Sequence, residues 1–226
     1  MVVVVKILCV LIGYVIGMVI LTSHWYSCIK KVDIRSKGSG NPGTTNMGRV
    51  LGKKAAIITM IGDITKAFLS AVICWLIFSV GLKVPIDTVN LLLYSGLGVI
   101  LGHNYPLIFG FKGGKGIATS AGVYLSMVFL PEYFWLLCLL GLITFLAMLF
   151  LTNYMSIASL SLVTGFCIEF IIFGAFGGLG ISGAALIEAD ILMIIITVLA
   201  FIRHRINIKR LLNGTETHTF GKGGLI

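Results

Sequence analysis

Three short polar islands carry the residues best suited to chemistry. They are Gly38-Ser39-Gly40-Asn41-Pro42-Gly43-Thr44-Thr45-Asn46, Phe111-Lys112-Gly113-Gly114-Lys115-Gly116 and His204-Arg205-Ile206-Asn207-Ile208-Lys209-Arg210. Across them, glycines, hydroxyl or amide donors and fixed positive charge gather at the ends of apolar runs. Glycine lets backbone N–H groups approach a ligand closely, and concave groups of such donors attract oxyanions. Three sites of this kind in an apolar chain point to phosphorylated substrates handled at a bilayer surface.

In the first island Ser39, Thr44 and Thr45 offer hydroxyls, and Asn41 and Asn46 offer amides. Arg49, expected to start a helix, brings a planar fork suited to two phosphate or carboxylate oxygens. A plain turn accounts for the glycines and Pro42 but not for Arg49 and the added donors. The second island fails as a nucleotide P-loop, which needs Gly, four residues, then Gly-Lys-Ser/Thr. Phe109 and Gly116 occupy the two positions that break the pattern. Lys112 and Lys115 remain point charges for phosphate, Gly113, Gly114 and Gly116 expose backbone donors, and a helix from Ile117 aims its positive end at the loop. The alternative is two lysines snorkelling at a helix end. His103, just upstream, is by itself an interfacial histidine more often than a catalyst. In the third island His204, Asn207 and Lys209 or Arg210 fall at helical spacing, and a helix continuing to Leu212 turns His204 and Asn207 to one side. Glu216, after Gly214, is placed to pair with an arginine of another island. A positive anchor explains Arg203 and Lys222 but neither Asn207 nor Glu216.

The elements that must position these islands are membrane spans. The chain is 58% hydrophobic and only 11% charged, against about a quarter charged in soluble domains. Apolar segments fall at residues 5–27, 55–80, 88–101, 117–130, 133–152, 155–173 and 184–202. The expected fold is an all-α polytopic membrane protein, one domain over residues 1–226, with about seven spans. The segments 88–101 and 117–130 are short for a span of about 20 residues, so a re-entrant pair, leaving five spans, is the alternative. Burying Lys112 and Lys115 at mid-bilayer would cost roughly 2.5–3.5 kcal/mol each, which favours full crossing with helix ends extending into 107–111. Even numbers of spans then separate the islands and put all three on one face. That face collects 14 of the 17 basic residues. The positive-inside rule makes it cytoplasmic, with the N-terminus outside and the C-terminus inside. Opposite links fall around 81–87, 130–132 and 174–183, with Glu188 and Asp190 just past the last. Asp63 and Lys66 form an i, i+3 pair inside the second span, either functional or mutually neutralising.

Basic residues that flank spans argue against a nucleic-acid partner. Cys9, Cys28, Cys74, Cys138 and Cys167 are scattered in apolar sequence, as small buried hydrophobes would be, and imply neither a metal site nor a disulfide framework. The apolar run from Ile7 to Ser27 is 21 residues long, longer than a signal h-region, and is expected to be a retained first span.

The stretches GSGNPGTTNMGR at 38–49, GHNYPLIFGFKGGKGIAT at 102–119 and HRINIKRLLNGTE at 204–216 closely resemble the bacterial acyl-phosphate:glycerol-3-phosphate acyltransferases, the PlsY family. Length and span pattern fit over the whole chain. Alanine often stands in the family where Thr44 does, and valine where Ile117 does. The resemblance implies transfer of a fatty acyl group from acyl phosphate to the 1-hydroxyl of sn-glycerol 3-phosphate, giving lysophosphatidic acid and phosphate, without a cofactor. It implies a bacterial cytoplasmic membrane location and a functional link to an enzyme producing acyl phosphate. It maps Ser39 and Arg49 onto catalysis and substrate binding, Lys112–Gly116 onto glycerol 3-phosphate binding, His204 and Asn207 onto the active site, and Glu216 onto structural support. Asn41, Thr44, Thr45, Asn46, His103 and Arg210 join the expected substrate-binding set.

Because an acyl phosphate is already activated, orientation and charge neutralisation suffice in principle, and the hydroxyl proton can pass to a substrate phosphate. His204 as general base is the second route, and a covalent acyl-Ser39 the third. The His-x4-Asp pair of acyl-CoA-dependent acyltransferases is absent. The residues five after His24, His103, His204 and His218 are Ile29, Ile108, Lys209 and Gly223. A transporter for a phosphorylated metabolite is the rival from another class, but transport sites lie near the midplane and not at one face.

Overall fold

The computed structural model describes residues 1–19, 21–127 and 134–220. The expected link at 130–132 and Lys222 lie outside these residues. The chain forms two compact units, Met1–Leu130 and Pro131–Ile226. In the first unit the helices are α1 (Val2–Val19), α2 (Thr22–Ile29), α3 (Thr44–Leu51), α4 (Lys53–Cys74), α5 (Thr88–Asn104) and α6 (Ile117–Ser126). A π-helical stretch, Trp75–Gly81, prolongs α4. The second unit holds α7 (Phe134–Thr152), α8 (Met155–Ala175), α9 (Gly183–Arg203) and α10 (Arg205–Leu212).

Among the described residues six helical stretches are long and apolar enough to cross a membrane, and the protein is of the all-α, multi-pass membrane class. The short third apolar segment becomes a full-length stretch, Thr88–Phe109. Its helix runs on through the polar pair His103–Asn104 because both side chains are buried inside the unit. The fourth remains short: α6 has 10 described residues, about half of a roughly 30 Å hydrocarbon core at about 1.5 Å per residue.

Glycine sets the packing of the first unit. A Cβ at Gly13 or Gly17 of α1 would fall on the carbonyl oxygens of Ser95 or Val99 in α5. A Cβ at Gly98 or Gly102 of α5 would fall on those of Val10 or Tyr14 in α1. Two small-xxx-small faces thus meet backbone to backbone, the way membrane helices gain contact without a hydrophobic drive. The matched order of these contacts makes α1 and α5 parallel. Helix α4 runs antiparallel to α5, with Lys66 beside His103 and the Ser70 and Ser95 hydroxyls 2.8 Å apart. Gly122 of α6 meets α4 at Ile64 and Ala67 in the same close manner.

Candidate active site

Parallel α1 and α5 deliver the first and second islands to the same end of the first unit. The ring of His24 lies 3.9 Å, centroid to centroid, from that of Phe109, which ties the entry to the first island to the second. Ser23 Oγ donates to the Pro42 carbonyl at 2.9 Å.

The first island is organised by one side chain. Asn46 is 1% exposed. Its Oδ1 accepts from the Ser39 N–H at 2.8 Å, and its Nδ2 donates to the carbonyls of Lys37 (3.0 Å) and Ile34 (3.3 Å). Gly38, at φ +57°, leaves the space that Asn46 Oδ1 fills. The Asn46 side chain is therefore spent on the loop backbone, and it presents Ser39, which is exposed, at the rim. Ser39 Oγ also faces the Asn41 N–H at 3.5 Å. Asp33 accepts from the backbone and the guanidinium of Arg35 at the loop entry, and that hydrogen bonding holds its carboxyl below the usual range. Gly43 caps α3, so Thr44, Thr45 and Asn46 supply its first-turn N–H groups. Thr44 Oγ1 has no hydrogen-bond partner among the described residues. Arg49 does not start this helix; it lies in its last turn, exposed, because the helix already begins at Thr44.

The second island wraps over His103. The Gly114 N–H donates to the His103 carbonyl at 3.1 Å. A Cβ on Gly113 would fall on that carbonyl oxygen, and one on Gly114 would fall on His103 Nε2. Both glycines are buried, Lys112 is exposed and Lys115 is half-buried. Gly116, at φ +81°, caps α6 and turns its first-turn N–H groups to the loop. His103 itself is 2% exposed, with Nδ1 2.7 Å from Lys66 Nζ and 3.5 Å from Asp63 Oδ1. Lys66 Nζ lies 2.7 Å from the same Asp63 oxygen. The i, i+3 pair thus has a third member from another helix, which spacing along the chain does not reveal.

The third island belongs to the second unit. Helix α9 ends at Arg203, and buried His204 makes the corner into α10. His204 Nδ1 lies 2.8 Å from the Ala200 carbonyl. A carbonyl only accepts, so Nδ1 carries the proton, and Nε2 is the lone-pair nitrogen in the neutral ring. Asn207 Nδ2 donates to Glu216 Oε1 at 2.7 Å. Glu216 was expected to meet an arginine; Gly214, at φ +65°, instead folds the chain back so that it meets Asn207. Arg210 is exposed, and its carbonyl accepts from the Thr215 N–H at 2.8 Å. The tail is stitched to the α7–α8 turn. Asn153 exchanges two side-chain hydrogen bonds with the Phe220 backbone, and its own carbonyl accepts from the Thr219 N–H. Phe220 stacks on Phe150, and His218 on Tyr154.

In the first unit two helix N-termini, α3 and α6, open from glycine-rich loops at one end, with Arg49, Lys112 and Lys115 on those same elements. Helix N-termini bind phosphate through their unpaired N–H groups and dipole.

The family model "Glycerol-3-phosphate acyltransferase" matches residues 7–214. A protein of that name from Shouchella clausii (strain KSM-K16) is 38% identical over 207 residues, 92% of each chain. One from Aquifex aeolicus (strain VF5) is 36% identical, covering 85% of this chain and 88% of its own. The crystal structure of PlsY, an integral membrane glycerol 3-phosphate acyltransferase, in its glycerol 3-phosphate form superposes with a TM-score of 0.77 at 32% identity, over 96% of each chain. Its lysophosphatidic acid form gives 0.76 at 31% identity, over 97% of each. A fold held in common over nearly the full length, with a family match that includes all three islands, makes this chain a member of the PlsY family of glycerol-3-phosphate acyltransferases.

Proposed function

We propose that this protein transfers a fatty acyl group from an acyl phosphate to the 1-hydroxyl of sn-glycerol 3-phosphate, giving 1-acyl-glycerol 3-phosphate and inorganic phosphate. The observation that carries this is the pair of phosphate-suited helix N-termini at one end of the first unit, read with family membership. The substrate hydroxyl oxygen attacks the acyl carbonyl carbon, and the bond from that carbon to the phosphate oxygen breaks. Ser39 and Arg49 act on the substrates at the first island. Lys112, Lys115 and the N–H groups of Gly113–Gly116 bind glycerol 3-phosphate. Asn41, Thr44 and Thr45 line the first loop, which Asn46 holds in shape. His204 and Asn207 take catalytic roles, with Arg210 on substrate phosphate and Glu216 fixing Asn207.

The hydroxyl proton passes to a substrate phosphate, which needs no protein base. A second route, with His204 as general base, gains from the Nδ1–H bond to Ala200, which leaves Nε2 in the basic form. Purified protein should release phosphate only with acyl phosphate and glycerol 3-phosphate together. Turnover with acyl-CoA but none with acyl phosphate overturns the assignment. In the same samples, intact mass after acyl phosphate alone should be unchanged. A stoichiometric adduct on Ser39, discharged by glycerol 3-phosphate, means a covalent route instead.

The protein sits in the bacterial cytoplasmic membrane with seven spans, N-terminus outside and C-terminus inside, and draws its donor from an enzyme that makes acyl phosphate. The gathering of 14 of 17 basic residues on the island side supports this orientation. Helix α6 decides it: with only six crossings the third island would face the compartment opposite the first two. Cysteines placed singly at Lys37, Lys112 and Asn213 should all resist an impermeant thiol reagent in intact cells. Labelling at Asn213 alone means that α6 does not cross.

A further inference from the structure

Asp63, Lys66 and His103 form a buried polar cluster inside the first unit, with side chains no more than 3% exposed. A buried ionisable group in a membrane helix is costly and marks function by default. Lys66 is among the largest fully buried side chains of the chain, and Gly122 brings α6 down onto the α4 backbone beside it, at Ile64 and Ala67. The pairing of Lys66 with Asp63 balances charge but leaves a further contact to explain, because the ammonium also reaches His103 Nδ1 at 2.7 Å. An ammonium has only donors, so Nδ1 accepts, and the neutral ring carries its proton on Nε2. Nε2 lies against Gly114, and the His103 carbonyl receives the Gly114 N–H. One residue therefore touches the glycine loop through both its ring and its backbone, and its ring is set from below by Lys66.

We propose that Asp63 and Lys66 are positioning residues for the second-island loop. Lys66, held by Asp63, locks His103 as the Nε2–H tautomer against Gly114 and so keeps the loop shaped for the phosphate of glycerol 3-phosphate. This rests on the acyltransferase reading given above. The ion pair acts through His103 and touches no substrate. Its loss should therefore weaken glycerol 3-phosphate binding at the loop and leave acyl phosphate binding alone.

The test uses the full chain in detergent. Lys66→Met leaves a lone carboxylate buried and invites misfolding, so the working variant is Asp63→Asn/Lys66→Met, which leaves no unpaired charge. It should raise the KM for glycerol 3-phosphate about tenfold or more, the worth of one charge-assisted hydrogen bond. The KM for acyl phosphate should stay within about twofold, well below that one-bond effect. A folded double variant with an unchanged KM for glycerol 3-phosphate overturns the proposal, as does an equal rise for both substrates. Nitrogen-15 NMR of histidine-labelled wild type is a separate arm that needs no turnover. His103 should show the Nε2–H tautomer and lose it in the double variant; a wild-type Nδ1–H signal overturns the proposal even if no variant folds. If wild type itself transfers no acyl group to glycerol 3-phosphate, the functional reading fails, while the tautomer measurement still decides the geometry.

Discussion

Gly113→Ala is expected to lower kcat/KM for glycerol 3-phosphate by about 100-fold or more, the scale on which loss of a preorganised backbone donor acts. The new Cβ would fall on the His103 carbonyl oxygen, with Pro106 Cδ at 2.6 Å and the Asn104 carbonyl carbon at 2.8 Å. Two of these are backbone atoms at the end of α5, which cannot swing aside as a side-chain tip would. The loop has to lift, and the Gly114 N–H bond to His103 goes with it. Gly110→Ala is the control. It meets nothing within 4 Å, and its only penalty is the left-handed φ of +63°, about 1–2 kcal/mol for a residue with a Cβ. Phosphate release with both substrates, together with a thermal melt of each variant, separates the cases. A Gly113→Ala enzyme as active as the Gly110→Ala control would mean that the loop does not hold the substrate.

Asn46→Ala should be nearly as damaging by a different route. Its three hydrogen bonds, each worth about 1 kcal/mol, hold the turn that carries Ser39, and their loss should cost about 3 kcal/mol of stability. Turnover should fall further than the stability change alone implies, because Ser39 loses the bond that fixes its backbone N–H. The melting temperature and kcat of the variant, compared with those of Ser39→Ala, give the answer. If Asn46→Ala melts like wild type and keeps its kcat, the clamp is incidental.

Much of this is legible in the sequence, and the exceptions share a physical cause. Hydropathy located the long helices, and the mixture of glycine, amide and charge located the islands, because both signals are local. It placed Asn46 among the ligand donors, since an amide in a glycine loop looks the same whether it faces solvent or folds inward. What decides is that Gly38 vacates the space the amide fills. Asp63 and Lys66 showed themselves at i, i+3, but His103 joins them from another helix, and no periodicity reports that. The third apolar run stops at residue 101, yet full crossing with an end reaching into 107–111 is the expected arrangement, and the stretch Thr88–Phe109 agrees with it. His103 and Asn104 lower its apolar count, yet they are buried in protein and leave the helix unbroken. Gly13-x-x-x-Gly17 and Gly98-x-x-x-Gly102 carry the spacing of close-packing faces. Their spacing is the one signal that would have paired α1 with α5.

That pairing bears on biosynthesis. Helix α1 is made before α5, but its glycine face fits the backbone of α5, which follows only after α2, α3 and α4. Until α5 follows, Gly13 and Gly17 lack the backbone that they fit. The first unit therefore depends on a pairing between helices far apart in the chain, and the loop that follows α5 is placed only once α1 and α5 have met.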